Sequence, residues 1–353
     1  MEKPRVLHVD SGRNWRGGQR QVFLLARGLR DRGYETMVVA PPDSPLLQRA
    51  EKAGVSFSPL LLRGEWDLSS ARALRKVARQ WGANVVHAHD ARAHSIAILA
   101  LAGTRGRKLV VTRRVVFTPK QVWIKYGRRV SAFIAISNAV RDAMIGAGIP
   151  AGRIEVVHSG VPAPDGAPAR DWRGERGWPA NTVICGIVGA MTREKGLDSV
   201  ASIARRLPGD LFRRTRIVLL GGPGKGGNII AGIEGYDAGF VEDIYPAVAG
   251  LDLLWHPARS EGLGTSVIDA MALGVPPIAF ATGGLPEVIE DGKSGRLVAP
   301  GDVHGFATAA AELIANPELR QALGAAARER AREFDSSHMI QRTADVYNRV
   351  MAG

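Results

Sequence analysis

Short apolar runs alternate with amphipathic stretches along the whole chain. The runs at 5–9, 37–41, 84–89, 109–112, 133–136 and 154–157 suit parallel strands buried on both faces. Between them, 20–32, 44–53, 69–81 and 137–147 carry apolar residues at helical spacing. The pattern then starts again, with strands expected at 183–188, 216–220, 251–256 and 277–281. A helix follows the first of these. Another runs from Thr265 or Ser266 to Gly274, stopped by Pro276 and Pro277, and a further one opens at Pro286. Two Ala-rich helices at 303–316 and 317–333 and an amphipathic one at 336–351 close the chain. Strands alternating with helices predict an α/β protein with parallel sheets.

A chain of 353 residues suggests two domains. The best linker is 162–176, PAPDGAPARDWRGER, rich in Pro and Gly. The domains expected are therefore 1–165 and 176–333. Hydrophobic content of 45% and charged content of 23% are those of a soluble globular protein. The only cysteine, Cys185, lies in an apolar run, which predicts a core thiol and excludes a disulfide framework. Neither a signal peptide nor a membrane span is expected from the apolar runs, and a reducing compartment fits.

Charge divides unevenly. The net charge is +13, but residues 1–165 hold 27 Lys and Arg against 12 Asp and Glu, while the remainder holds 20 against 22. An anionic partner for the first half follows. No acid lies between Asp90 and Asp142, and nine basic residues fall between Arg105 and Arg129, Lys120 among them. Trp123, Tyr126 and other apolar residues are interleaved, as suits an anionic membrane surface or a phosphorylated acceptor. The plainer reading is a solvated basic face. No helix-turn-helix, zinc-finger or RNA-recognition signature accompanies the charge, so nucleic acid is not expected.

The chemistry concentrates in 255–302. Two strand ends each lead into a helix N-terminus, whose free N–H groups and positive dipole end suit phosphate. Glu261 precedes the first helix and could accept bonds from ligand hydroxyls. Asp269 lies inside it, about one turn past Ser266. Phosphate flanked by hydroxyls describes a nucleotide sugar. Alternatively, Ser266 and Asp269 form a capping box and Asp269 serves only its own helix.

The stretch resembles the retaining glycosyltransferases of family 4. Glu261-Gly262-Leu263-Gly264, then Asp269-Ala270-Met271-Ala272, Gly274 and Pro276, and then Gly283, Gly284 and Glu287 follow the family's motif. Thr265 and Ser266 open the helix between them. The second acid departs from it, being Asp269 in place of Glu. The resemblance implies the GT-B fold: two Rossmann-like, doubly wound parallel-sheet domains facing a cleft, with the helix 336–353 packing back on the first. It implies a nucleotide-sugar donor, retention of configuration and no metal, and no D-x-D occurs here. Lys195-Gly196 matches the family's K-G, where Lys meets the donor diphosphate; Ala190 replaces the family's Arg, and Arg193 lies one turn away. Gly17-Gly18 matches the glycine pair of the first domain, where donor phosphate and acceptor approach the backbone; a plain turn is the alternative. His89, at the end of a strand reading V-V-H-A-H-D, matches a His near the donor sugar, and His87 is expected to pack.

The expected activity is transfer from a UDP- or GDP-sugar to an anionic, lipid-linked or saccharide acceptor of the lipopolysaccharide-core type. The expected place is the inner face of the cytoplasmic membrane. The rivals are a nucleotide-sugar epimerase on the same scaffold and a non-catalytic basic protein. A third is an NAD(P) oxidoreductase resting on Gly222, Gly224 and Gly227, which spell G-x-G-x-x-G after a strand.

Overall fold

The computed structural model describes residues 3–117, 122–164, 166, 168–230 and 232–353, with backbone alone at 228 and 229. Lys120 of the basic stretch and residue 165, the expected domain end, lie outside them. The chain divides into two units, Met1–Gly160 with Ser336–Gly353, and Val161–Asp335.

The first unit holds β1 (Val6–Val9), β2 (Thr36–Ala40), β3 (Ser56–Pro59), β4 (Val85–Ala88), β5 (Lys108–Arg113), β6 (Ala132–Ala135) and β7 (Ile154–Val156). They form one sheet in the order β3-β2-β1-β4-β5-β6-β7, parallel throughout. Strands β1, β4 and β6 are buried at every position, as their unbroken apolar runs require. The helix Ser336–Ala352 belongs to this unit. Its Met339, Ile340 and Tyr347 pack with Leu25 and Leu29 of the helix Gly17–Asp31 and with Val110 of β5.

The second unit holds β8 (Val183–Val188), β9 (Thr215–Leu220), β10 (Gly226–Ile230), β11 (Ile233–Asp237), β12 (Leu253–His256), β13 (Pro277–Phe280) and β14 (Arg296–Val298). The order is β10-β11-β9-β8-β12-β13-β14, and only the β10–β11 pair is antiparallel. Phe306 meets Trp255 and Phe280 edge-on at 6.0 and 5.4 Å in its core. Cys185 is buried beside them, and burial raises its thiol well above the usual range.

Three expectations change. The stretch read as a linker is part of the second unit: Trp172 is fully buried and its indole N–H donates to the Ala247 carbonyl at 2.9 Å. A large aromatic among Pro and Gly anchors the segment, so the division falls after Gly160. The G-x-G-x-x-G run opens a β10–β11 hairpin in place of a helix. Without a helix N-terminus it lacks the phosphate site a dinucleotide needs, and the oxidoreductase reading falls. Finally, Gly17 and Gly18 are the first two residues of their helix, which begins three residues earlier than its apolar periodicity indicates.

Candidate functional site

In a doubly wound sheet, ligands bind where successive connections leave in opposite directions, beyond the strands' carboxyl ends. Each unit has one such point. In the second unit it lies between β8 and β12, and the loops leaving those strands carry Lys195 and Glu261.

Glu261 is held on all sides. Lys195 Nζ donates to its Oε2 at 2.5 Å, His256 Nε2 lies 3.0 Å from the same oxygen, and its Oε1 takes the Gly262 N–H at 3.1 Å. Burial alone would raise the Glu261 carboxyl; the His256 bond and the Lys195 charge outweigh it and hold the group down at about 2. His256 is itself fully buried, which lowers its pKa, so it donates as a neutral imidazole. At neutral pH Glu261 is therefore an anion with acceptor oxygens and no proton to give.

Two glycines let the loops close. At Gly283 (φ +54°) a Cβ would stand 1.7 Å from the Glu261 carbonyl oxygen, and at Gly196 (φ +73°) one would stand 1.8 Å from the Pro257 carbonyl oxygen. Backbone contact thus presses the Lys195 turn onto the end of β12 and the β13 turn onto the Glu261 loop.

Beyond Glu261, Gly262, Leu263 and Gly264 are buried, and Gly264 precedes the helix Thr265–Ala272. The N–H groups of Thr265 and Ser266 have no acceptor among the described residues, leaving donors for an anion. Ser266 is not the capping position, so the capping-box alternative for Asp269 falls. Asp269 is buried and accepts the Tyr245 hydroxyl at 3.2 Å. Arg193 stays outside the group: its side chain is 84% exposed and its nearest acid is Asp198 at 3.9 Å. The sequence reading missed His256 and Tyr245. His256 ends an apolar strand, a position that carries ligands in such sheets, and was readable on that ground; Tyr245 gave no signal.

In the first unit the corresponding point lies between β1 and β4. Asp10 follows β1, and Asp90 caps the helix Ala91–Leu101 while also taking the Ser11 N–H at 2.6 Å. Below them sit His8, His87 and His89, all buried and all held neutral, chiefly by burial. Both ring nitrogens of His89 have neighbours: its Nε2 lies 3.1 Å from His8 Nδ1 and its Nδ1 takes Arg114 Nη2 at 3.3 Å. His87 packs, held by the Tyr347 hydroxyl at 2.5 Å and Thr112 Oγ1 at 2.7 Å. By spacing, these three histidines could hold a metal ion. The Arg114 guanidinium beside His89 and the two side-chain partners of His87 oppose one.

The basic stretch is partly interior. Tyr126, read with Trp123 as suited to a membrane surface, is instead buried and accepts from Arg113 Nε at 2.9 Å. Lys125 is buried and paired at 2.5 Å with Glu65, an acid from outside the stretch. Trp123 is 95% exposed, with Ile124 and Val115 each at 59%.

Residues 15–163 match the model of Glycosyltransferase Family 4, and residues 169–330 match that of Glycosyl transferases group 1. The chain is built of two glycosyltransferase domains. Over 198 residues it is 29% identical to the D-inositol 3-phosphate glycosyltransferase of Saccharomonospora viridis, covering 51% of this chain and 46% of that protein. Over 156 residues it is 33% identical to the sulfoquinovosyl transferase SQD2 of Arabidopsis thaliana, covering 42% and 30%. The matched stretch thus spans less than half of either relative. Among solved structures, Anabaena HepE in complex with UDP and glucose is similar at a TM-score of 0.83 and 20% identity, over 97% of this chain and 99% of that one. The fold of the two glycosyltransferase domains is GT-B. Glu261 and Lys195 both lie in the group 1 domain, and Arg114 and His89 in the family 4 domain.

Proposed function

We propose that the protein is a retaining glycosyltransferase that moves a sugar from a nucleoside-diphosphate sugar to an acceptor hydroxyl. The observation carrying this reading is the Lys195–Glu261 pair at the β8/β12 switch point, beside the open N–H groups of Thr265 and Ser266. One carboxylate fixed in its ionised form, one ammonium and one helix N-terminus supply what a sugar diphosphate presents: hydroxyls to be held and phosphate charge to be balanced. As the bond from the anomeric carbon to the phosphate oxygen breaks, Lys195 and the helix N-terminus stabilise the charge left on the diphosphate. The acceptor oxygen attacks the anomeric carbon from the same face, and its proton passes to the departing phosphate oxygen. Glu261 orients sugar hydroxyls and Asp269 stands toward the nucleoside. Counter-charge comes from the protein, so no metal is required.

The acceptor in this reading is anionic and lipid-linked, an envelope glycan met at the inner face of the cytoplasmic membrane. Exposed Trp123, Ile124 and Val115 with exposed Arg128 and Arg129 support it. No helix among the described residues is long and apolar enough to cross a membrane, which agrees with a surface attachment. UDP- and GDP-sugars are incubated with the chain and membrane extracts of acceptor, and nucleoside diphosphate release and product stereochemistry are read by NMR. An α-linked product from an α-donor is expected. Donor turnover without any glycosylated product would favour the epimerase reading and reject transfer.

A further inference from the structure

The amino ends of β5, β6 and β7 and the last turns of the helix Ser336–Ala352 line a cavity of about 640 Å³ in the first unit. That volume is within the range of small-molecule sites. The β1/β4 switch point stands at the carboxyl ends of the same parallel sheet. A molecule in this cavity is therefore at the opposite end of the sheet from one bound at the switch point.

Four cations surround the space. Lys108 opens β5, Arg128 precedes β6, Arg153 precedes β7 and Arg349 comes from the helix. Glu155 is the one acidic side chain in the wall, and it pairs with Arg349. The helix also ends here, and the negative end of its dipole offsets part of the remainder. No carboxylate among the described residues pairs with Lys108, Arg128 or Arg153. Like charges gathered round one space repel, and an anion between them relieves the repulsion.

Arg153 is fixed in place beforehand. Its Nη1 donates to the Tyr126 carbonyl and its Nη2 to the Gly127 carbonyl, both at 2.9 Å, and Nη2 also meets the Val130 carbonyl. The guanidinium lies 5.3 Å from the centre of the Phe133 ring. These partners are neutral, so they orient the cation without answering its charge, and burial lowers its pKa. A guanidinium has five N–H donors, and those left over face no immobilisation cost of their own when a ligand arrives.

The rest of the wall is largely apolar. Val130, Ala132 and Val346 are buried and Val350 is half-buried. A bare inorganic anion would leave this surface wet, whereas an anion carrying an apolar body would cover it. Phosphate suits a guanidinium and an ammonium placed together. We propose that the cavity binds an amphiphilic phosphate, with its head on Lys108, Arg128 and Arg153 and its apolar body against Val130, Val346 and Val350. A bilayer lipid and a soluble phosphate ester both carry such a group. The site goes beyond the transfer reaction and uses none of its residues.

The test is titration calorimetry of the full chain with hexyl phosphate, inorganic phosphate and hexanol. The proteins are the wild type, the double variant Lys108→Ala/Arg128→Ala, Gly152→Phe and Lys195→Ala. Hexyl phosphate should bind the wild type at one per chain and at least about tenfold more tightly than either control. The double variant should weaken it at least about tenfold. Gly152 lies in the cavity wall and a Cβ there meets nothing within 4 Å, so Gly152→Phe keeps every charge and takes up space. It should weaken hexyl phosphate at an unchanged melting temperature. Lys195→Ala should bind hexyl phosphate as the wild type does. Equal binding by wild type and both cavity variants overturns the site, and so does absence of binding to the wild type. Binding lost in Lys195→Ala places the ester at the donor position and overturns it as well. Inorganic phosphate binding as tightly as hexyl phosphate overturns the apolar part. A vesicle arm separates the sources. Release of the wild type from phosphatidic acid vesicles by hexyl phosphate assigns the site to a lipid headgroup, and binding without release assigns it to a soluble ester.

Discussion

Lys195 Nζ and Glu261 Oε2 meet at 2.5 Å although 66 residues separate them. The two loops that carry them leave neighbouring strands at the point where the second sheet reverses its winding. The pair keeps the carboxylate charged and holds the ammonium where a diphosphate would need it. In the proposed reaction the donor phosphate joins Glu261 around the same ammonium. Lys195→Ala should cut transfer by about 10²–10³-fold, the size seen when one charge-stabilising donor is removed, and Glu261→Ala, which removes the acceptor for sugar hydroxyls, should also cut it. Melting curves and turnover of both variants check this. Near-wild-type turnover in both would reject the site.

The depressed Glu261 pKa makes a pH prediction. The carboxyl titrates at about 2 when folded and near its ordinary value of 4.5 when unfolded. Its contribution to stability is therefore complete above 4.5 and is lost as pH falls through about 2. His256 works alongside: buried and neutral, its lowered pKa means that charging the unfolded chain below 6.5 favours unfolding. Glu261 in turn holds His256 up, so the gap between wild type and Glu261→Gln reports the pair. Urea melts should show a gap that narrows as pH falls from 4.5 toward 3.

Gly283 makes a packing prediction. Gly283→Ala must move the Glu261 backbone, at about 1–3 kcal/mol for the overlap in addition to the positive-φ penalty. Gly301 shares a positive φ, +79°, with nothing within 4 Å of an added Cβ, so Gly301→Ala should cost the φ penalty alone. Denaturant midpoints compare the two, and equal losses would contradict the close approach.

Membrane attachment should depend on Trp123 more than on charge count, because Lys125 and Arg113 are turned inward. Wild type should sediment with anionic vesicles at low salt, be released by high salt, and bind at least fivefold more weakly as Trp123→Ala. Equal sedimentation with neutral vesicles would contradict the charge part of the proposal.

The strands of both sheet centres were legible because a parallel strand buried on both faces writes an unbroken apolar run. The edges were not. β3 is Ser-Phe-Ser-Pro and largely exposed, and β10 is glycine-rich, so neither carries such a run. Glu261, Lys195 and the helix start at Thr265 were readable because motif residues cluster within a few positions of a strand end. Their partners were harder: His256 is one residue in an apolar strand, and Tyr245 reaches Asp269 from 24 positions away. Composition misled most in the basic stretch. Charge counted along the chain cannot tell Arg128, in solvent, from Arg113, buried against Tyr126, or from Lys125, which finds Glu65 sixty positions back.

The central claim is that a nucleoside diphosphate binds where Lys195 and Glu261 meet, without a metal. Titration calorimetry with UDP, GDP and ADP in excess EDTA, on wild type and Lys195→Ala, addresses it directly. One nucleotide should bind the wild type at one per chain and bind Lys195→Ala at least tenfold more weakly. Binding that needs a divalent ion, or that is equal in the two proteins, would contradict the account.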